Sequence, residues 1–181
     1  MKLKETKLSG LLVFEPEVFP DDRGIFYESF NRKWFDAFNI EDSDFVQDNI
    51  SHSKMGVLRG MHFQTGEYEQ AKLVQVLHGE VFDVAVDIRR ESSTYGLWQG
   101  EYLSSKNHKI MYIPNGFAHG FLTTTEDVVF HYKCTNFFSK DNAHTINYAD
   151  RNINISWPMK PTSIVQRDAD APSLREYESR S

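Results

Sequence analysis

Phe82-Asp83-Val84-Ala85-Val86-Asp87-Ile88-Arg89 is the stretch that decides the fold class. Large apolar side chains alternate in it with small or polar ones, as in a β-strand, whose successive side chains point to opposite faces of the sheet. The same period of two recurs from Val128 to Cys134, and Ile110–Ile113 is a further apolar stretch, which Pro114 ends. Several short strands with turn signals between them predict an all-β sandwich or barrel.

Outside these strands the sequence predicts only short helices. Asn31 can cap a helix that runs to Phe38, because three aromatic residues recur in this segment at helical spacing. Ser173–Tyr177 is predicted to form a short terminal helix. His78-Gly79-Glu80 reads as a turn, so we expect Lys72–Leu77 to form a hairpin with the strand that follows it.

Length, charge and cysteine content restrict the class of protein. No repeat or linker divides the 181 residues, so we expect one domain over residues 1–181. The net charge of −6 argues against a nucleic-acid partner, which requires clustered Lys and Arg. No apolar run approaches the ~18 residues of a membrane helix, and the N-terminus lacks a signal peptide. The single cysteine, Cys134, excludes an internal disulfide and favours a reducing compartment. We therefore expect a cytoplasmic protein without a membrane partner.

Two histidines stand in strand-and-turn sequence beside glycines. They are His62 in Leu58-Arg59-Gly60-Met61-His62-Phe63-Gln64 and His119 in Pro114-Asn115-Gly116-Phe117-Ala118-His119-Gly120. The Pro-x-Gly-x-x-His spacing of the second segment is that of a cupin barrel, whose mouth is a ligand site. Alternation along the first segment places Gly60, His62 and Gln64 on one polar face, which indicates a pocket rather than a packed core.

A metal site is an alternative use of these histidines. Cupin metal sites commonly take two histidines and a carboxylate from the first motif, but Gln64 stands where the second histidine would be. His62, His119 and either Glu67 or Glu69 remain a possible ligand set. We expect no metal and no organic cofactor, and chemistry supplied by side chains.

A series of motifs extends from Asp22 to Tyr132 and beyond in fixed order. They are Asp22-Arg23-Gly24-x-Phe26-x-Glu28-Ser29-Phe30, Val46-Gln47-Asp48-Asn49-x-Ser51, the two histidine segments, Ala71-Lys72-Leu73-Val74, Gly79-Glu80-Val81-x-Asp83-Val84-Ala85-Val86-Asp87-x-Arg89, Ser92-x-Thr94-Tyr95-Gly96 and Tyr132-Lys133-Cys134-Thr135. In this series the chain resembles the dTDP-4-dehydrorhamnose 3,5-epimerase family. The resemblance implies a cupin-type jelly-roll barrel with a few short peripheral helices.

The resemblance also implies a reaction and the roles of four residues. Such enzymes invert the carbons beside the ketone of a nucleotide-linked 4-keto-6-deoxyhexose, at C3, C5 or both, without metal or cofactor. Removal of a proton beside a ketone needs a positioned base and a group that stabilises the enolate oxygen. His62 is implied as the base, and Asp168 orients it and favours its protonated form. Tyr132 is implied to return a proton from the opposite face, and Lys72 to face the enolate oxygen.

The same resemblance assigns the substrate-binding residues. Arg23 and Arg59 suit a pyrophosphate or sugar hydroxyls, because a guanidinium presents a fork of donors. Phe26 is implied to stack on the base, Gln47 to hydrogen-bond the nucleotide, and Glu28 to contact the same end. The set is completed by Asn49, His119 and Arg167. In the family the segment with Arg23 and Phe26 is lent to a neighbouring subunit, which implies a homodimer with exchanged N-terminal strands.

Several positions depart from the family pattern and leave alternatives open. Phe138 stands where the family commonly has a tyrosine, and Arg167 stands for a lysine in a Leu-Ser-x-Lys-Asp signature. Residues 147–151 replace a Trp-Asn-Asp-Pro-like run. These changes leave open the nucleotide base, the sugar and the number of inverted carbons. The alternatives are an epimerase of a GDP-linked 4-keto hexose or heptose, a metal-dependent cupin enzyme, and a sugar-nucleotide-binding module without turnover.

Overall fold

β-Strands make up most of the regular structure in the computed structural model, which describes residues 1–40 and 43–179. The strands are β1 Lys2–Glu5, β2 Leu12–Glu15, β3 Phe19–Asp21, β4 Gly24–Phe26, β5 Gln47–Ser53, β6 Leu58–Gln64, β7 Lys72–His78, β8 Glu80–Asp87, β9 Trp98–Ser104, β10 Ile110–Ile113, β11 Phe117–Thr123, β12 Val128–Cys134 and β13 Ala143–Thr145. The helices are α1 Arg32–Ala37, α2 Gln166–Ala169 and α3 Leu174–Glu178. No helix among the described residues has the length and apolar character needed to cross a membrane.

Two antiparallel sheets form the jelly roll. The six-stranded sheet has the order β1-β2-β10-β7-β12-β5, and the five-stranded sheet has the order β13-β6-β11-β8-β9. β3 and β4 form a separate hairpin. The main core joins both sheets, with Val74 and Phe130 from the first and Ala85 and Phe121 from the second. The predicted all-β, cupin-type jelly roll with short peripheral helices is therefore confirmed.

The C-terminal segment forms a second apolar layer outside the five-stranded sheet. Phe82, Val84 and Val86 of β8 pack there with Ile146 and Leu174 rather than inside the barrel. The opposite face of β8 points inward, and this face carries aspartate. The strand predicted from residues 82–89 is present, but its large apolar side chains form the outer layer because the C-terminal segment covers them.

The predicted hairpin between Lys72–Leu77 and the next strand is wrong. β7 pairs with β10 and β12 in one sheet, whereas β8 pairs with β9 and β11 in the other. The turn at Gly79 has φ +79°, and a Cβ there would lie 2.7 Å from Thr125 Oγ1. The turn therefore carries the chain between sheets, which an alternating pattern does not distinguish from a hairpin.

The helix predicted from the capping residue Asn31 and the predicted short terminal helix are both present. The Asn31 side chain accepts a hydrogen bond from the Lys33 N–H and begins α1, and Phe35 of this helix is fully buried. The Phe35 ring packs against Phe14 of β2 with 5.6 Å between centroids, which fixes α1 to the six-stranded sheet. Ser173 caps α3 through a reciprocal capping box.

Candidate active site

The interior of the barrel contains a cavity with two adjoining lobes, of about 330 and 310 Å³. Both lobes are lined by His62, Lys72, Tyr132, Phe138 and Arg167. The first lobe adds Gln47 and Asn49, and the second adds Arg59 and His119. We call this space the barrel cavity. Its size lies in the range of small-molecule sites, and it brings together most of the residues predicted from sequence.

His62 and Asp168 form a hydrogen-bonded pair at the wall of the barrel cavity. His62 Nε2 on β6 lies 2.9 Å from both Oδ1 and Oδ2 of Asp168 on α2. The Asp168 side chain is only 1% exposed, and the Gly60 N–H donates to its Oδ2 at 3.1 Å. The carboxylate is therefore fixed, and Nδ1 is the imidazole nitrogen available to a substrate.

Arg167 contacts both members of this pair. Its Nε donates to Asp168 Oδ1 at 3.3 Å, and its Nη2 lies 3.2 Å from His62 Nε2. Nε2 either donates to Asp168 or accepts from Arg167. The shorter, charge-assisted contact with the carboxylate favours donation, which leaves the Nδ1 lone pair free to accept a proton.

Burial sets the protonation state of the pair. It lowers the pKa of His62 below its ordinary value, with help from the nearby charges of Lys72 and Arg167, although Asp168 opposes the shift. The resemblance predicted that Asp168 favours the protonated imidazole. Its contact does raise the pKa of His62, but desolvation lowers that pKa by more, so the net shift is downward. Burial alone would raise the pKa of Asp168, yet the hydrogen bonds from His62, Gly60 and Arg167 leave it lowered. The pair at neutral pH is therefore a neutral imidazole and a carboxylate.

Lys72 and Tyr132 project into the cavity from the six-stranded sheet, opposite His62. The Lys72 side chain is buried, and its Nζ donates to the His62 carbonyl at 3.4 Å. Burial lowers the pKa of Lys72, and it raises the pKa of the Tyr132 phenol. Tyr132 therefore stays protonated at neutral pH and can act as a proton donor.

A second histidine–carboxylate pair lies beside the first. His119 Nε2 on β11 lies 3.0 Å from both oxygens of Asp83 on β8, and both side chains are buried. His119 is directly opposite His62 in the β11–β6 register. Asp83 was not predicted as a site residue, because its alternation with Phe82 and Val84 does not show which face of β8 lies inside the barrel.

These contacts bear on the metal alternative. The Nε2 atoms of His62 and His119 are each occupied by a carboxylate, and Gln64 uses its amide to bind loop backbone at Tyr68 and Phe137. Within residues 1–40 and 43–179, no group of three or more His, Cys, Asp or Glu is arranged to hold a metal ion. The geometry favours proton-transfer chemistry by side chains.

The nucleotide-binding candidates on β5 line the mouth of the first lobe. Gln47 Nε2 donates to Asn49 Oδ1 at 3.0 Å, and the Phe138 N–H donates to Gln47 Oε1 at 3.0 Å. Asn49 Nδ2 lies 3.7 Å from Cys134 Sγ. This chain of contacts ties the Phe138 loop to the edge of the cavity.

Three predicted binding residues lie outside the barrel cavity of a single chain. The Arg23 side chain is 89% exposed and pairs with Asp21 at 2.5 Å. Phe26 is 65% exposed, and Glu28 accepts a hydrogen bond from Asn31 Nδ2 at 3.0 Å. Within one chain these residues are not part of the site.

Known proteins resemble this chain over nearly its whole length. The family model described as dTDP-4-dehydrorhamnose 3,5-epimerase matches residues 5–176. The chain is 48% identical to the dTDP-4-dehydrorhamnose 3,5-epimerase of Salmonella typhimurium over 171 residues, 94% of this chain and 93% of that protein.

Solved structures show the same fold. A dTDP-6-deoxy-D-glucose-3,5-epimerase from Legionella pneumophila, in complex with dTDP-4-keto-L-rhamnose, is 42% identical with a TM-score of 0.94, covering 99% of this chain and 95% of that one. A 3'-monoepimerase from Streptomyces bikiniensis, in complex with dTDP-quinovose, is 29% identical with a TM-score of 0.90, covering 97% and 89%. The chain therefore belongs to the dTDP-4-dehydrorhamnose 3,5-epimerase family.

Proposed function

We propose that this protein epimerises a dTDP-linked 4-keto-6-deoxy sugar at the carbons beside the ketone. The observation that carries the proposal is the Asp168–His62 pair, which faces Tyr132 and Lys72 across one cavity. The complex of the Legionella relative with dTDP-4-keto-L-rhamnose supports this substrate class.

The first step is proton removal from the carbon beside the ketone. In our proposal His62 Nδ1 accepts this proton, and the electron pair of the C–H bond moves to the ketone oxygen as an enolate. Lys72 donates to that oxygen and offsets its negative charge. A cation in a desolvated site is effective here, because charge interactions are stronger where water is excluded.

The second step is proton return from the other face of the ring. Tyr132 donates its phenolic proton to the same carbon, and the enolate collapses to the ketone of the epimer. His62 lies on the five-stranded sheet and Tyr132 on the six-stranded sheet, so the two groups reach the ring from opposite sides. Exchange with solvent then returns the proton to Tyr132 and removes it from His62.

The nucleotide end of the site is completed, in our proposal, by a second copy of this chain. Arg23, Phe26 and Glu28 would extend from the partner as an exchanged N-terminal segment. Two features of the surface support this arrangement. The hairpin β3–β4 carries exposed apolar side chains, and β5 is an edge strand with Ile50 61% exposed.

Complementation tests the exchanged segment. Arg23→Ala and His62→Ala should each lose most activity, whereas a mixture refolded together should regain it in heterodimers. One site of each heterodimer then combines an intact His62 with an intact Arg23 from the other chain. If Arg23 acts within its own chain, mixing restores nothing.

One observation favours a second candidate, inversion at a single carbon. Phe138 lines both lobes of the barrel cavity and offers no hydroxyl, and a 3'-monoepimerase is among the similar structures. Incubation with dTDP-4-keto-6-deoxyglucose in D₂O tests both candidates. Label at C3 and C5 supports the double epimerase, label at C3 alone supports the single one, and no label contradicts both.

The nucleotide and the compartment are further parts of the proposal. A thermal-shift panel of dTDP, GDP, UDP and CDP at equal concentration should show stabilisation by dTDP above the others, since the stabilisation by a bound ligand increases with the logarithm of its concentration divided by Kd. We also propose a cytoplasmic location, which is consistent with the free, buried thiol of Cys134.

A further inference from the structure

The inner face of β5 forms a row of polar side chains along the barrel cavity. Outward-facing residues of this strand, including Ile50 and His52, are exposed, whereas the alternate ones face the interior. The polar row consists of Gln47, Asn49, Ser51 and Ser53. The family resemblance implies roles for Gln47 and Asn49 and none for the two serines.

Three members of the polar row are hydrogen-bonded within the protein. Gln47 and Asn49 bind each other, and Ser53 Oγ accepts from Arg59 Nε at 3.3 Å. Ser51 differs, because its Oγ is fully buried and has no hydrogen-bond partner in the part of the protein that the structure describes.

The position of this hydroxyl is fixed by the sheet. Ser51 is paired with Phe130 across the β5–β12 ladder, and it lines the second lobe together with Arg59, His62 and His119. A buried polar group without a partner is destabilising, and such groups in native proteins call for an explanation. A ligand oxygen in the lobe would provide the missing partner.

The adjacent Arg59 indicates which ligand group supplies the oxygen that would bind Ser51. Arg59 uses Nε to hold Ser53, and within residues 1–40 and 43–179 its two terminal amino groups make no hydrogen bond. A guanidinium with free amino groups suits a phosphate oxygen, and a hydroxyl beside it adds a donor to the same anion. The catalytic side chains His62 and Lys72 line the same lobe, so a diphosphate held here leaves the attached sugar next to them.

We propose that the Ser51 hydroxyl donates a hydrogen bond to a non-bridging oxygen of the substrate's diphosphate, beside Arg59, and thereby sets the position of the sugar. This inference rests on the proposed function. It adds a phosphate-binding residue to the site, and it explains why a buried hydroxyl remains on β5 without a protein partner.

Calorimetric binding of dTDP to variants tests the assignment. Ser51→Ala should weaken dTDP binding on the order of ten-fold, as expected for loss of a hydrogen bond to a charged group. It should leave thymidine, which lacks phosphate, bound as in the wild type. The melting temperature of the free protein should not fall, because no protein hydrogen bond is lost. His52→Ala, on the outer face of the same strand, is the matched control and should bind dTDP normally.

Three results would overturn the inference. Unchanged dTDP affinity in Ser51→Ala would show that the hydroxyl does not contact the diphosphate. An equal loss for thymidine and dTDP would show general damage to the site. A wild-type protein that binds no dTDP would refute the proposed function, and this inference with it.

Discussion

Asp168→Asn is the substitution that perturbs the proposed base most selectively. The amide matches the carboxylate in shape, so the buried side chain should keep its place against Gly60 and His62. The Gly60 N–H requires an acceptor at 3.1 Å, which directs the amide oxygen towards Gly60 and the amide NH₂ towards His62. Nε2 then becomes an acceptor, and the imidazole proton moves to Nδ1, the nitrogen that must receive the substrate proton.

The magnitude follows from two losses. The first is a charge-assisted hydrogen bond to the imidazolium, about 1.5–3 kcal/mol, or roughly 10- to 100-fold in rate. The second is the wrong tautomer, and the corresponding change in serine protease triads lowers kcat by about 10⁴-fold. We expect a fall in kcat of about 10³-fold or more, with dTDP affinity within roughly three-fold of the wild type, because Asp168 lies behind His62.

Deuterium incorporation from D₂O into dTDP-4-keto-6-deoxyglucose measures the effect, and calorimetry with dTDP measures binding. Asp170→Asn is the matched control, since Asp170 caps the same helix and is exposed, and its side chain binds only Gln166 among the residues that the structure describes. Its activity should be normal. An Asp168→Asn enzyme within ten-fold of the wild-type rate would refute the role of the pair.

Three further predictions concern the remaining parts of the site. The kcat/KM profile should show no acid limb centred above pH ~6.5, because His62 must be neutral and its pKa is lowered; such a limb would contradict the account. Activity should fall at alkaline pH below the ordinary pKa of a lysine, because Lys72 must be charged and its pKa is lowered, whereas the pKa of Tyr132 is raised. Lys72→Gln should lower kcat by about 10²- to 10³-fold, which is the usual effect of removing one donor to an oxyanion. The melting temperature should not fall, because the substitution removes a desolvated charge. A near-normal kcat would exclude the contact between Lys72 and the enolate. Phe138→Tyr should raise the ratio of C5 to C3 deuterium label if the missing hydroxyl limits inversion, and an unchanged ratio by NMR would show that it does not.

Local sequence patterns predicted individual strands and helices but not which sheet each strand joins. Asn31 marked a helix start correctly, because capping depends on neighbours in sequence, and the terminal helix predicted over Ser173–Tyr177 is present as α3. Alternation predicted β8, yet its large apolar face covers the outside of the barrel. The turn residues around Gly79 predicted a hairpin, although the turn connects β7 in one sheet to β8 in the other. Sheet membership depends on tertiary packing, which a period of two does not encode.

The site residues also divide into those that local sequence predicts and those that it does not. His62 could be predicted from its own strand, whereas Asp168 lies 106 residues from it in the sequence and was assigned only by the family resemblance. Asp83 and Ser51 were not predicted as site residues, because alternation in β8 does not show which face lies inside the barrel and the polar sequence of β5 predicts no strand. Both are recognised only once the sheets are known, as polar residues at inward positions of barrel strands.

The measurement that tests the central claim most directly compares exchange with inversion in Tyr132→Phe and His62→Ala. If the two side chains act from opposite faces of the ring, Tyr132→Phe should still exchange the substrate proton with D₂O through His62, while formation of the epimer falls by about 10²-fold or more. His62→Ala should lose both exchange and inversion. Exchange that persists in His62→Ala, or inversion at the wild-type rate in Tyr132→Phe, would contradict the account.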